Sequence, residues 1–465
     1  MFLREIRIIK LIMKKQFFSF LLLLSFVFSV SAQKAQTSKP DLVEQNLRKH
    51  VSYLASDKLE GRRTGEKGAN SAAGYVMNGF ASAKLKGGMI KNGKANFLQA
   101  FPYKPRNGRG EIIAEAKEVE AYNVIGILEG KDPILKNEAI VIGAHYDHLG
   151  RGGMGSLAAN SNEIHHGADD NASGTSALIE LARQFSQAKN NKRTIIFIAF
   201  GGEEEGLLGS RYYVNNPVFP LEKTVAMLNM DMIGRLKEDK LTVGGIGTAT
   251  EWKELVTRKN EIIPPVYGPM KKVSMTTEIP AKTESVYRFN LQLNEDGFGP
   301  SDHSSFYSKQ IPVLFFFTGT HLDYHKPSDT AEKINYTGLR NITEYVRQIA
   351  EYVDQYMSKR PTYLVAKSAA PTDSRRSFNV TLGTIPGYSD GNDGMTIDGV
   401  RENTPAAKAG LKAGDKIIKL AGKDIKNVQD YTAVLSDLKA EVEYEIVVMR
   451  GSEKLTLKIT PVARK

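Results

Sequence analysis

The stretch "TIIFIAFGGEEEG" (residues 194–206) decides the reading of the fold. Its first seven residues, Thr194 to Phe200, form an apolar run of strand length with no polar alternation. That pattern predicts a strand buried on both faces, as in a parallel sheet covered by helices. Two glycines end the run, and Glu203, Glu204 and Glu205 follow at once. Adjacent carboxylates at the end of a buried strand repel one another and resist desolvation. The residues that make them tolerable lie elsewhere in the chain.

Similar apolar runs flank this one: "NVIGIL" (123–128), "AIVIGA" (139–144), "VAMLNMDMI" (225–233) and "VLFFF" (313–317). Helical patterns separate them. From Ser173, "SGTSALIELARQFSQA" places apolar residues at 177, 178, 181, 182 and 185. In "NYTGLRNITEYVRQIAEYVDQYM" (335–357), Leu339, Ile342, Val346, Ile349, Val353 and Tyr356 hold one helical stripe. Strands alternating with helices predict an α/β fold with a largely parallel sheet over residues 33–357.

Residues 358–376, "SKRPTYLVAKSAAPTDSRR", lose periodicity and gain Pro, Ser and Ala, the composition of a linker. Residues 377–465 then read as a separate small module of strands, two short helices and a closing hairpin. At the other end, residues 1–32 carry basic residues, the apolar run Phe17–Val30 and the small-residue pattern Val30-Ser31-Ala32. This is the form of a secretory signal peptide, cleaved after Ala32. The expectation is an exported protein, periplasmic or secreted, without stable membrane insertion after cleavage.

The chain of 465 residues has 41% hydrophobic and 25% charged residues, an ordinary globular composition. It has no cysteine, which excludes disulfides and thiolate metal sites. Residues 1–32 account for +4 of the formal charge of +11, leaving +7 on the remainder. Those basic residues are scattered, not clustered with aromatics, so nucleic acid is not an expected partner.

Metal-type side chains gather at the strand ends. "AIVIGAHYDHLG" delivers His145 and Asp147, and "TIIFIAFGGEEEG" delivers Glu203 and Glu204. "LNMDMIG" delivers Asp231, and "VLFFFTGTHLDYHKPSDT" delivers His321 and His325. "HHGADDNASG" adds Asp169 and Asp170 in a turn leading to a helix. Sites in open α/β sheets form at the carboxyl ends of strands, so these residues converge on one edge. Histidines and several carboxylates without cysteine make a nitrogen and oxygen donor set suited to zinc or a similar divalent ion. The surplus of carboxylates suits two metals with a bridging ligand. Two cations would also resolve the repulsion within "EEE".

The ordered set "GAHYDHLG", "GADDNASG", "AFGGEEEGLLGS", "NMDMIG" and "YHKPSDT" resembles the M28 family of zinc exopeptidases, the aminopeptidase Y type. The resemblance covers residues 41–357. It implies a mixed, mostly parallel sheet between helices and a cofactor of two Zn2+ ions. It implies that Asp170 bridges the metals, that His145 and Asp231 complete one, and that Glu204 and His325 complete the other. Glu203 would be the general base toward the attacking water, and Asp147 would orient the imidazole of His145. Tyr324 would donate to the oxyanion. Asp302 and His303, in "GPSDHSSF", would belong to the substrate pocket. His148, His165, His166 and His321 are given no metal role, and Glu205 is read as an exposed acid at a helix start.

The implied substrate is a peptide or protein, cut most simply by an aminopeptidase. A carboxypeptidase of the same fold, a glutaminyl cyclase and a non-catalytic peptide-binding protein are the alternatives. "TPAAKAGLKAGDKIIKLAGKDIKN" in the C-terminal module resembles a PDZ domain. That resemblance implies that amides around Leu382 and Gly383 receive a peptide C-terminus by strand addition. Thr384 departs from the usual pattern, which puts an apolar residue or glycine there.

Overall fold

The computed structural model describes residues 41–463, apart from 92, 107–112, 114, 154, 159–161, 263–285, 367–379, 387–392, 401–402 and 427. The expected signal peptide (1–32) and the second half of the expected linker lie outside the described residues. No helix among the described residues is long and apolar enough to cross a membrane.

A nine-stranded sheet forms the centre of the larger domain. Its strands are β1 (Lys86–Gly87), β2 (Leu98–Tyr103), β3 (Val119–Leu128), β4 (Ala139–His145) and β5 (Thr194–Phe200), followed by β6 (Thr224–Met230), β7 (Lys240–Gly244), β8 (Asn290–Leu293) and β9 (Val313–Phe317). The spatial order is β1-β3-β5-β4-β6-β9-β7-β8, with β2 also paired to β3. The four central strands β5, β4, β6 and β9 run parallel. Antiparallel partners join on either side, β3 to β5 and β7 to β9. Every residue of β4, β5 and β6 is buried, which is what unbroken apolar runs require of strands covered on both faces.

The covering helices include α1 (Leu42–Leu54), α2 (Lys67–Ser82), α3 (Gly174–Ala188), α4 (Leu208–Asn215), α5 (Trp252–Asn260), α6 (His303–Tyr307) and α7 (Tyr336–Gln355). The stripe of α7 faces inward: Leu339, Ile342, Val346, Ile349 and Val353 are buried, while Tyr356, just past its end, is exposed. Asn335 caps α7 by accepting the amide of Gly338 at 2.9 Å.

The first nine residues of the expected linker are pinned to the larger domain. Arg360 meets Glu138 at 2.7 Å, and the Thr362 amide and hydroxyl both bond Glu251 at 2.9 Å. Tyr363 bridges Ala249, and the Ala366 amide donates to the Tyr307 hydroxyl at 2.8 Å. Composition alone suggests a tether, but these partners come from parts of the larger domain far away in sequence.

The C-terminal module has its own core, built on Leu382, Met395, Ile397, Ile417, Leu420, Ile446 and Val448. Thr384 finds a partner inside the module: its hydroxyl lies 2.5 Å from the hydroxyl of buried Tyr431. The Gly383 amide donates to the Thr381 hydroxyl at 3.2 Å.

Candidate metal centre

β4, β5 and β6 are parallel neighbours, so their last residues lie side by side. β4 ends on His145, and Asp147 follows it. β5 ends at Phe200 and turns sharply. Gly202 takes a φ of +72°, and a side chain on Gly201 would meet the Tyr122 carbonyl at 2.5 Å. This turn brings Glu203 and Glu204 back over the strand ends. The Asp231 amide, just beyond β6, is tied to the Phe316 carbonyl of β9 at 3.1 Å. Asp170 sits in a tight turn, Ala168–Ser173, before α3, and the Asp170–Asn171 peptide is cis.

Two groups share one carboxylate. The His145 Nε2 lies 3.2 Å from Asp231 Oδ1 and 3.3 Å from Asp170 Oδ1. The His325 Nε2 lies 3.0 Å from Asp170 Oδ2 and 3.3 Å from Glu204 Oε2. Asp170 therefore turns one oxygen to each imidazole. Backbone carbonyls set both rings. His325 Nδ1–H donates to the Gly155 carbonyl at 2.7 Å, and His145 Nδ1–H points to the Asp147 carbonyl at 3.3 Å. A carbonyl can only accept, so the neutral form of each ring keeps its proton on Nδ1, and Nε2 is the nitrogen that a cation would take.

Glu203 stands slightly apart, with Oε2 at 3.9 Å from His145 Nε2. Burial pushes its carboxyl well above the usual range, and the nearby charges of Asp231, Glu204 and Asp302 push the same way. Asp170 goes the other way: burial alone would raise it, but the bonds from His145 and His325 hold it well below the usual carboxylate value. For His325, burial opposes protonation, yet Glu204 and Asp170 lift the pKa to about 9. These directions describe a centre with more negative charge than its histidines balance.

Asp147 is buried and accepts three bonds: from the Thr64 hydroxyl (2.7 Å), the Glu203 amide (3.1 Å) and the Glu204 amide (3.4 Å). Its Oδ1 stays 3.7 Å from His145 Nδ1, so the carboxylate is closer to Thr64 and the Glu203–Glu204 backbone than to the imidazole. Tyr324 stacks on His325 with ring centres 3.8 Å apart. Burial and the charges of Asp170 and Glu204 keep its phenol protonated.

Other residues depart from the sequence expectations. Glu205 is not an exposed helix-start acid. The turn continues to Leu207 and the helix begins at Leu208, so Glu205 faces inward, 7% exposed, at 3.5 Å from both Arg63 and Arg106. His148 belongs to the centre: its Nδ1 lies 2.7 Å from Glu204 Oε1. Its buried Nε2 has no hydrogen-bond partner among the described residues. Nothing in the sequence beside it sets His148 apart from the other loop histidines. His321 is one layer out, 3.2 Å from Asp169, whose other oxygen takes the Gly234 amide at 2.6 Å. Asp329 holds the amides of Asp169 (2.7 Å) and Asp170 (3.2 Å), and is itself met by Arg235 at 3.1 Å. Asp302 and His303 are interior and do not line an open cleft. His303 stacks on Phe315 at 4.3 Å, and burial lifts the Asp302 carboxyl to about 7.

Two sets of donors fit a metal ion, His145–Asp170–Asp231 and His148–Asp170–Glu204, and His325 reaches the same acids as the second set. All are nitrogen or oxygen donors, as zinc accepts. Residues 123–350 match the model of Peptidase family M28, and residues 379–460 match that of the PDZ domain. This chain carries an M28 peptidase domain. Leupeptin-inactivating enzyme 1 of Streptomyces exfoliatus is 27% identical over 305 residues, covering 65% of this chain and 55% of that protein. Aminopeptidase YwaD of Bacillus subtilis (strain 168) is 28% identical over 255 residues, covering 51% of this chain and 48% of that protein. The chain thus spans about half the length of these curated relatives. Among solved structures, an aminopeptidase from Aneurinibacillus sp. strain AM-1 is 20% identical with a TM-score of 0.47, covering 71% of this chain and 96% of that one. The M28 domain holds the whole candidate metal centre on the strand ends, apart from the Thr64 bond supplied from upstream.

Proposed function

We propose that the chain is an exported, two-zinc exopeptidase acting on peptides as an aminopeptidase. The observation that carries this reading is the single carboxylate, Asp170, turned by one oxygen to His145 and by the other to His325. His145, Asp170 and Asp231 would hold one metal. Asp170, Glu204 and His325 would hold the other, with His148 beside them. Bound zinc supplies Lewis acidity, polarising a carbonyl and bringing the pKa of water toward about 7.

The protein's own groups do the rest. Glu203 lies close to the centre but outside its shortest contacts, and its raised proton affinity suits a group that takes a proton from the attacking water. The same proton then goes to the leaving amine. Asp147 fixes the backbone from which Glu203 and Glu204 project. The protonated phenol of Tyr324, stacked beside His325, is a donor for the developing oxyanion. The two complete donor sets favour this reading over a one-metal glutaminyl cyclase. The PDZ domain is proposed to take peptide C-termini along Thr384–Pro386, and the leader-like residues 1–32 support export.

The test is metal content and turnover on aminoacyl and acyl-blocked peptides, for wild type and Glu203→Gln. The variant should keep both zincs and lose turnover by about 10²–10⁴-fold. Normal turnover in Glu203→Gln, or wild type that takes up no metal in excess zinc, overturns the reading. A preference for blocked substrates moves the assignment to a carboxypeptidase.

A further inference from the structure

Behind the centre lies a segment with no metal-type side chain that bonds to several of the ligand-bearing loops. Residues 61–64, "GRRT", follow the first helix and precede the first strand. The Gly61 carbonyl accepts the Gly150 amide at 2.9 Å, and the Arg62 carbonyl accepts the His148 amide at 3.1 Å. The Thr64 hydroxyl bonds Asp147 at 2.7 Å. A side chain on Gly61 would meet the Gly150 carbonyl at 2.4 Å, so this approach requires glycine.

Arg62 lies at the middle of this segment, 1% exposed. Its Nε donates to the Tyr146 carbonyl at 2.8 Å. Nη1 donates to the carbonyls of Leu54 (2.5 Å) and His166 (2.7 Å), and Nη2 to that of Gly167 (2.9 Å). Every one of these contacts is a backbone carbonyl. Tyr146 lies between His145 and Asp147, and Gly167 is three residues before Asp170. One planar guanidinium therefore ties the peptide after the first histidine to the peptide leading to the shared carboxylate. An ammonium cannot span four carbonyls in that fixed fork.

We propose that Arg62 is a positioning residue of the metal centre, a clamp that sets the spacing between His145 and Asp170. The proposal rests on the reading that these residues bind metal. Its charge is secondary. A fixed cation beside metal ions disfavours them, so a purely electrostatic role would make its neutralisation strengthen metal binding. A geometric clamp makes the opposite prediction, and predicts that lysine does not replace it.

The experiment is zinc titration against a competing chromophoric chelator, at fixed pH, with wild type, Arg62→Lys and Arg62→Gln. Circular dichroism and thermal unfolding of the metal-free forms report the folded fraction. Both variants should bind zinc about 10–100-fold more weakly per folded molecule, the range for residues that orient ligands. Wild-type affinity in Arg62→Lys, or tighter binding in Arg62→Gln, overturns the clamp. Wild-type affinity in both variants, with only a lowered unfolding temperature, also overturns it by making Arg62 structural. Should neither variant fold, Thr64→Val tests the same segment: weakened zinc binding supports it and unchanged binding overturns it. Wild type that binds no zinc would instead defeat the proposed function.

Discussion

Two clusters of buried charge sit at opposite edges of the same sheet and are built differently. At the starting edge of β5, Arg193 gives its Nε to Glu138 at 2.9 Å. Its Nη1 goes to the carbonyls of Val353, Asp354 and Met357 at the end of α7. The Asp354 carboxylate takes the amides of Lys192 and Arg193 at 3.0 and 2.6 Å. Here the cation meets a carboxylate and helix-end carbonyls, and the anion meets amides. At the finishing edge, Asp170, Glu203, Glu204 and Asp231 crowd around imidazoles, and the side chain of the buried Arg62 donates to carbonyls alone among the described residues. The first cluster pairs its cation and anions within the fold, although Arg193 Nη2 has no hydrogen-bond partner among the described residues. The second holds more carboxylates than its histidines balance, and under the proposed function metal ions would complete it.

The strongest attempt to break this contrast is Asp170→Asn. It should reduce zinc content and lower turnover by about 10³-fold, the equivalent of several kcal/mol of barrier. Retention of both metals, measured by elemental analysis, would show that the shared carboxylate is not needed. Arg193→Met is the mirror experiment. It removes one of the two guanidinium partners of Glu138 and leaves the carbonyls of Val353, Asp354 and Met357 without their donor, and should cost about 1–3 kcal/mol in denaturant unfolding, with turnover per folded molecule unchanged. Next comes metal removal. Zinc at about 100 times its dissociation constant should stabilise the protein by about 2.7 kcal/mol over the chelated form. Arg193→Met should lower both forms while preserving that increment; an increment that vanishes would mean the two clusters are coupled.

The smallest effects belong to the rim of the structural cluster. Arg360→Ala should cost less than about 1 kcal/mol, because the pair with Glu138 is partly exposed. Glu138 also gives a pH signature. Burial pushes its carboxyl up, but the bonds from Arg360 and Arg193 outweigh that and hold it below the usual 4.5. A depressed carboxyl stabilises the fold above its unfolded pKa and loses that contribution as pH falls. Acid unfolding of Glu138→Gln should therefore be shallower than that of wild type below about pH 4.5, and an identical slope would remove Glu138 from the account.

The contrast also separates what the sequence makes legible from what it hides. The strand runs and the acids and histidines at their ends announce themselves, because buried apolar segments and metal donors are local patterns. Glu205 looks like a surface acid in the sequence because the residues that enclose it, Arg63 and Arg106, lie more than 90 residues upstream. In the sequence nothing local distinguishes His148 from the other loop histidines; its position against Glu204 does so in the fold. The pinning of residues 358–366 was hidden for the same reason. Arg62 is the extreme case: it acts on main-chain carbonyls, which every sequence possesses, so no pairing of residue types betrays it.

Its location has a consequence for where the peptidase begins as a working module. The family match starts at residue 123, yet Thr64 supplies a bond to Asp147, and Gly61 and Arg62 anchor the loops around the ligands. Strands β1 and β2 also precede that point. A fragment trimmed to the matched segment would keep the donors His145, His148, Asp170, Glu204, Asp231 and His325 and lose the wall behind them. A fragment that opens before Gly61 keeps this wall, and a transplant of the candidate metal centre into another protein would have to carry that stretch along.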